Sequence, residues 1–268
     1  MQASNHGYLI RTCIISLTMT MAGVAGAAPI AVPNSSFETP EAPPVSPFAI
    51  PAYFTTTDDS WIQAPVPGWW PLTAVEWDQS LGVFLNVPGP LNITNADGDQ
   101  LVFLFATPDL GISQDLAATY EEGNAYELTV ALRGGSGGMP QDSPIAVTLY
   151  YRDGGDNIVP IASTEFLNDS TSSPTSLLDV SVSIPPVDAA DAWFGQNIGI
   201  QIQSTVGLDE PELQGGTWGI DNVRLESLSG EAVPAASTWG LIVMVLGVMT
   251  SAKLMLQRSV RESLSIAG

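Results

Sequence analysis

Tyr126, Leu128, Val130 and Leu132 alternate with Glu127, Thr129, Ala131 and Arg133. A period of two gathers the apolar side chains on one face only if the chain is extended, so this stretch reads as a half-buried antiparallel strand. The pattern returns at Val147, Leu149 and Tyr151, at Val180, Val182 and Ile184, and at Ile198, Ile200 and Ile202. Residues 72–78, 83–87, 100–106 and 111–116 also read as strands. Turn chemistry separates the later strands: Gly134-Gly135-Ser136-Gly137-Gly138, Asp153-Gly154-Gly155-Asp156 and Pro185-Pro186. No stretch of the body sustains a helical period. About ten short strands with such turns predict an all-β, two-sheet sandwich.

The two ends read differently. In residues 1–27, Arg11 precedes the apolar run from Cys13 to Val24, and Ala25-Gly26-Ala27 supplies small residues for signal peptidase. Export is the expectation. In residues 231–268, an apolar run over 241–256 is broken only by Lys253, with Trp239 before it and Arg258 and Arg261 after it. This predicts a transmembrane helix at about 240–256, with a basic cytoplasmic tail and the body outside. Residues 28–230 are left as one domain.

That body carries 26 of the chain's 28 Asp and Glu but only three Arg, Arg133, Arg152 and Arg224. Binding to nucleic acid through its phosphates is excluded on charge. His6 and Cys13, each the single residue of its type, lie in the leader, and the one Lys, Lys253, lies in the C-terminal apolar run. Catalysis in the body is therefore restricted to carboxylates, Tyr, Ser, Thr and Arg. Glu76 with Asp78, or Asp97 with Asp99, has the residue types for glycoside cleavage but no specific pattern. The expectation is a protein that is not an enzyme.

Gly215 to Leu225 reads as the last strand, with Asp221, Val223 and Leu225 on one face. A carboxylate at the head of an apolar row needs a cation or hydrogen-bond donors. The end of the chain, Val233-Pro234 followed by Ser237, Trp239 and Gly240, a helix and a basic cluster, resembles the PEP-CTERM sorting signals read by bacterial exosortases. Ala235 and Ala236 stand where that motif has Glu and Pro. The body resembles the galactose-binding-like jelly rolls of carbohydrate-binding modules, through Asn34-Ser35-Ser36-Phe37-Glu38, Pro67-Gly68-Trp69, Ile112-Ser113-Gln114-Asp115-Leu116, Tyr126 to Val130 and Gly219 to Leu225. The resemblance implies a structural calcium between the first and last strands, with Glu38 and Asp221 as side-chain ligands. The alternative is that both carboxylates accept backbone hydrogen bonds.

A sugar site needs a flat aromatic face beside amide or carboxylate groups. Trp61, Trp70 and Trp77, with Gln63, Glu76 and Asp78, are the candidates, and core packing is the competing role for the three rings. Trp69 and Trp218 are assigned to packing. The expected protein is exported and envelope- or matrix-associated, contacting polysaccharide without catalysis. A structural matrix component with no ligand and a glycan-active enzyme remain as alternatives.

Overall fold

The computed structural model describes residues 26–42, 60–90 and 92–229. Residues 1–25 of the leader, the sorting motif at Val233, Pro234, Ser237, Trp239 and Gly240, and the transmembrane run at 240–256 lie outside the described residues. Among the described residues no helix is long and apolar enough to cross a membrane.

The strands are β1 (Ala27–Ile30), β2 (Ile62–Gln63), β3 (Leu81–Leu85), β4 (Gln100–Phe105), β5 (Gly111–Thr119), β6 (Asn124–Ser136), β7 (Pro144–Arg152), β8 (Ile158–Leu167), β9 (Leu178–Ile184), β10 (Asn197–Ser204) and β11 (Thr217–Ser229). They form two antiparallel sheets. One runs β3-β4-β11-β6-β9, with β1 also on β11; the other runs β2-β5-β10-β7-β8. The inner order β4-β11-β6-β9 facing β5-β10-β7-β8 is the double Greek key of a jelly roll. The core between the sheets takes one row of each alternation: Leu128, Val130 and Leu132, Ile145, Val147 and Leu149, Ile198, Ile200 and Ile202, and Trp218 with Ile220.

Two expectations change. Residues 72–78 do not form a strand: Ala74–Asp78 is a short helix, α1, whose N-cap Thr73 and third residue Glu76 make a reciprocal capping box. The Thr-x-x-Glu spacing was the local signal, and the apolar residues at 72, 74, 75 and 77 obscured it. In β11 the alternation changes phase. Pairing with β6 shifts between Asp221 and Arg224, and Asn222 has φ 49°. This bulge turns Val223 and Leu225 into the core beside Ile220, and leaves Asp221 on the other face, paired with Ala131.

On that outer face Ile93, Leu101, Ala131 and Leu177 form a small second core. Nearby, Arg133 is 6% exposed. It donates from Nη1 to the Pro174 carbonyl at 2.6 Å and lies over the Phe84 ring, but its Nε has no partner. Arg152 and Arg224 both reach carboxylates; Arg133 has no carboxylate partner among the described residues. Burial lowers its pKa to about 10, so the group remains a cation whose desolvation one carbonyl and one ring face offset only in part. Arg133→Met should raise stability by about 1–3 kcal/mol, read as an upward shift in thermal midpoint. A drop in the midpoint would mean that the guanidinium contributes more than it costs.

Candidate functional site

Row geometry on the outer face of the five-stranded sheet builds a candidate site. Gly199 of β10 is paired with Asp115 of β5 on one side and with Tyr150 of β7 on the other, so the three residues form one line across the sheet. With no side chain at Gly199, the Tyr150 ring can lie down over the β10 backbone. A Cβ there would fall inside contact distance of three ring atoms. The phenol then reaches across the strand and donates to Asp115 Oδ1 at 2.9 Å.

Arg152, two residues further along β7, covers the ring from above, with its guanidinium carbon 5.7 Å from the ring centroid. Its Nε donates to Asp115 Oδ2 at 2.8 Å, and its Nη1 donates to the Asp156 carbonyl at 2.9 Å. Tyr150 is fully buried; burial, then the neighbouring Asp115 charge, pushes the phenol well above its ordinary pKa, so it stays a neutral donor. Burial works against the charge on Arg152, but Asp115, Tyr150 and Asp156 outweigh it and the net shift is upward. Beside this cluster lies a cleft of about 400 Å³ lined by Ile62, Asp115, Arg152, Asp156, Gln196 and Asn197. It offers a fixed carboxylate, a cation, two amides and one exposed aliphatic side chain.

The sequence reading missed this site because Asp115, Tyr150 and Arg152 lie on separate strands or in plain alternation. One signal was available. Gly199 interrupts a strand otherwise made of Ile198, Ile200 and Ile202 in alternation, and an isolated strand glycine marks a close approach.

The six residues expected to bind sugar do not form one exposed surface. Trp61 and Trp77 are each 1% exposed. Trp61 packs on Phe37 and donates to the Asn34 carbonyl; Trp77 donates to the Ala64 carbonyl at 2.8 Å. Trp70 is half-buried edge-on against Trp77 and donates to the Thr73 carbonyl. Gln63 donates to the Trp77 carbonyl, Glu76 is taken up in the helix cap, and Asp78 is exposed at the end of α1. The end of the sandwich needs large rings to close it, and packing takes Trp61 and Trp77 entirely. Trp69, assigned to packing, is half-buried and donates to Asp109 Oδ2 at 2.8 Å.

Glu38 and Asp221 do approach one another, and the loop Asp97-Gly98-Asp99 runs between them. Asp221 Oδ2 accepts from the Asp97 N–H and Oδ1 from its neighbour's N–H, both at 2.7 Å. Glu38 Oε1 accepts from the Asp99 and Gln100 N–H groups at 2.9 and 3.0 Å. Gly98, at φ 102°, lies directly against the Glu38 carboxyl, leaving no room for a Cβ. Asp221 is fully buried. Burial raises its pKa to about 7, two backbone N–H bonds oppose the shift, and the charges of Asp97 and Glu38 add to it. Among the described residues no group of three or more His, Cys, Asp or Glu has metal-binding geometry. The donors on hand are hard oxygens, the type that suits calcium.

A cyclase from Fischerella sp. TAU superposes with a TM-score of 0.57 at 21% identity, covering 77% of this chain and 100% of that one. A cyclase from the same organism in complex with 4-(1H-indol-3-yl)butan-2-one superposes at 0.56 and 22%, with the same coverage. At such identities the likeness is one of fold. The xylan-binding domain of Paenibacillus barcinonensis shares less, with a TM-score of 0.37 at 14% identity over 57% of this chain and 88% of that one, too little to argue from. No curated protein matches in sequence. The model of the HpiC1-like family, described as HpiC1 cyclase, matches residues 28–226. That match overturns the expectation of a non-catalytic, glycan-contacting protein, and with it the reading that the chain is not an enzyme. Lack of His, Cys and Lys in the body excludes only chemistry that needs them. With its whole sandwich matched, the chain belongs to the HpiC1-like cyclase family.

Proposed function

We propose that this protein is a cyclase acting on a small, indole-bearing molecule in the cleft between Ile62, Asp115 and Arg152. The observation that carries this reading is the family match over the entire sandwich. The cleft supports it as the place where a cavity, a pre-oriented carboxylate and a cation coincide. Asp115 is suited to accept an N–H from the ligand, as Asp109 already accepts the indole N–H of Trp69. Arg152 is suited to steady negative charge as bonds rearrange, and Ile62 to contact the apolar ring.

Ring closure by rearrangement conserves every atom. The test is incubation of the protein with unsaturated indole-bearing compounds, followed by chromatography for a new species of unchanged mass. Product formation in the wild type should fall at least about tenfold in Arg152→Gln. A folded protein that converts none of them, and that gains no thermal stability from 4-(1H-indol-3-yl)butan-2-one, would refute the reading.

The proposal extends to one calcium ion between Glu38 and Asp221, with backbone carbonyls supplying the remaining oxygens. The like charges around Asp221, with no cationic partner for them among the described residues, motivate this assignment. Export through residues 1–27 and mooring through 240–256, with exosortase processing near Pro234, would place the enzyme outside the cell membrane. The leader and the C-terminal motif are the support for that placement.

A further inference from the structure

The lining of the cleft has more acceptors than donors. Asn197 commits its amide nitrogen to the Leu116 carbonyl at 2.7 Å, which leaves its oxygen for a ligand. Asp115 takes one donor on each oxygen, from Tyr150 and from Arg152, and a carboxylate accepts about four. Asp156 projects a largely exposed carboxylate into the same space, 3.7 Å from Arg152 Nε. Arg152, the lining's cation, has already placed Nε and Nη1 on protein oxygens. Two carboxylates against one guanidinium make the cleft negative, in a chain of net charge −21. Such a surface gathers cations and turns anions away. The Tyr150 and Arg152 bonds also fix the plane of the Asp115 carboxylate before any ligand arrives, so docking costs little ordering.

We propose that the substrate carries a protonated amine nitrogen that docks on Asp115, making this residue the one that selects the substrate's charge. The inference rests on the reading of this cleft as the reaction site.

Calorimetric titration of the purified full chain with tryptamine, 4-(1H-indol-3-yl)butan-2-one and indole-3-propionate tests it, because the three indoles differ in side-chain charge. Tryptamine should bind about tenfold more tightly than the ketone at low salt, with the margin shrinking as salt is added, and the propionate should bind most weakly. Asp115→Asn, which keeps an acceptor for the phenol, should remove the margin between amine and ketone. If that variant does not fold, the salt dependence of the wild-type series decides. Amine and ketone binding equally at low salt would overturn the inference and leave the cleft as an indole site. No binding by any of the three to folded wild type would overturn the site as well.

Discussion

Gly199→Ala is expected to cost about 3 kcal/mol of stability, the upper part of the range for overpacking a close contact, and to weaken binding in the cleft at least tenfold. The added methyl meets three atoms of the Tyr150 ring, and the ring cannot yield upward because the Arg152 guanidinium lies over it. Either the ring tilts and its hydroxyl leaves Asp115, or β10 moves away from β7. The first outcome frees the Asp115 carboxylate to rotate, which undoes the preorganisation the cleft depends on. Backbone conformation is not the cause, since Gly199 lies in ordinary extended pairing with both neighbours. A double-mutant cycle isolates the contact: in a Tyr150→Leu background the alanine should cost much less. An equal cost in both backgrounds, by chemical denaturation, would show that ring and glycine are not coupled.

The second large effect concerns Asp221 and reverses sign with calcium. In the presence of chelator, the folded protein holds the Asp221 proton up to about pH 7, against an ordinary aspartate value of 3.8. Below pH 4 the group is protonated in both states and contributes no penalty. As pH climbs from about 4 to 7 the unfolded chain releases the proton and the folded one does not, so stability falls across that window. The full loss, present above pH 7, is about 4 kcal/mol for a difference of roughly three pH units. With calcium the ionised carboxylate is the bound form, so the same rise in pH should stabilise the protein. Thermal midpoints across this window, measured with calcium and with chelator, should diverge as pH rises. Parallel curves would exclude the ion and leave the Asp97 and neighbouring N–H groups as the only partners of the carboxylate. Asp221→Asn should flatten the chelator curve.

Much of the architecture was legible because burial of one sheet face imposes a period of two, and that period can be read locally. The rows at Tyr126 to Leu132, Val147 and Leu149, Val180 to Ile184 and Ile198 to Ile202 all became strands with those faces inward. The period failed where a short-range device replaced it. Thr73 and Glu76 capped a helix in place of the strand read there, and the bulge at Asn222 moved Asp221 off the face shared by Val223 and Leu225. For Trp61 and Trp77, candidates for a sugar face with core packing as the competing role, the reason is different: ring size and loop position do not tell whether the end of a sandwich needs closing, and here it took both rings whole.

By itself the sequence determined an acidic, all-β body lacking His, Cys and Lys, because composition and alternation are properties of single residues and near neighbours. Only the tertiary structure decided which carboxylates matter. Asp115 gains its meaning from a phenol 35 residues away and a guanidinium 37 away, brought together because the Greek-key order places β10 between β5 and β7. Asp221 likewise depends on a loop 124 residues distant. Strand order is set by how two whole sheets bury their faces against each other, and no local pattern encodes it.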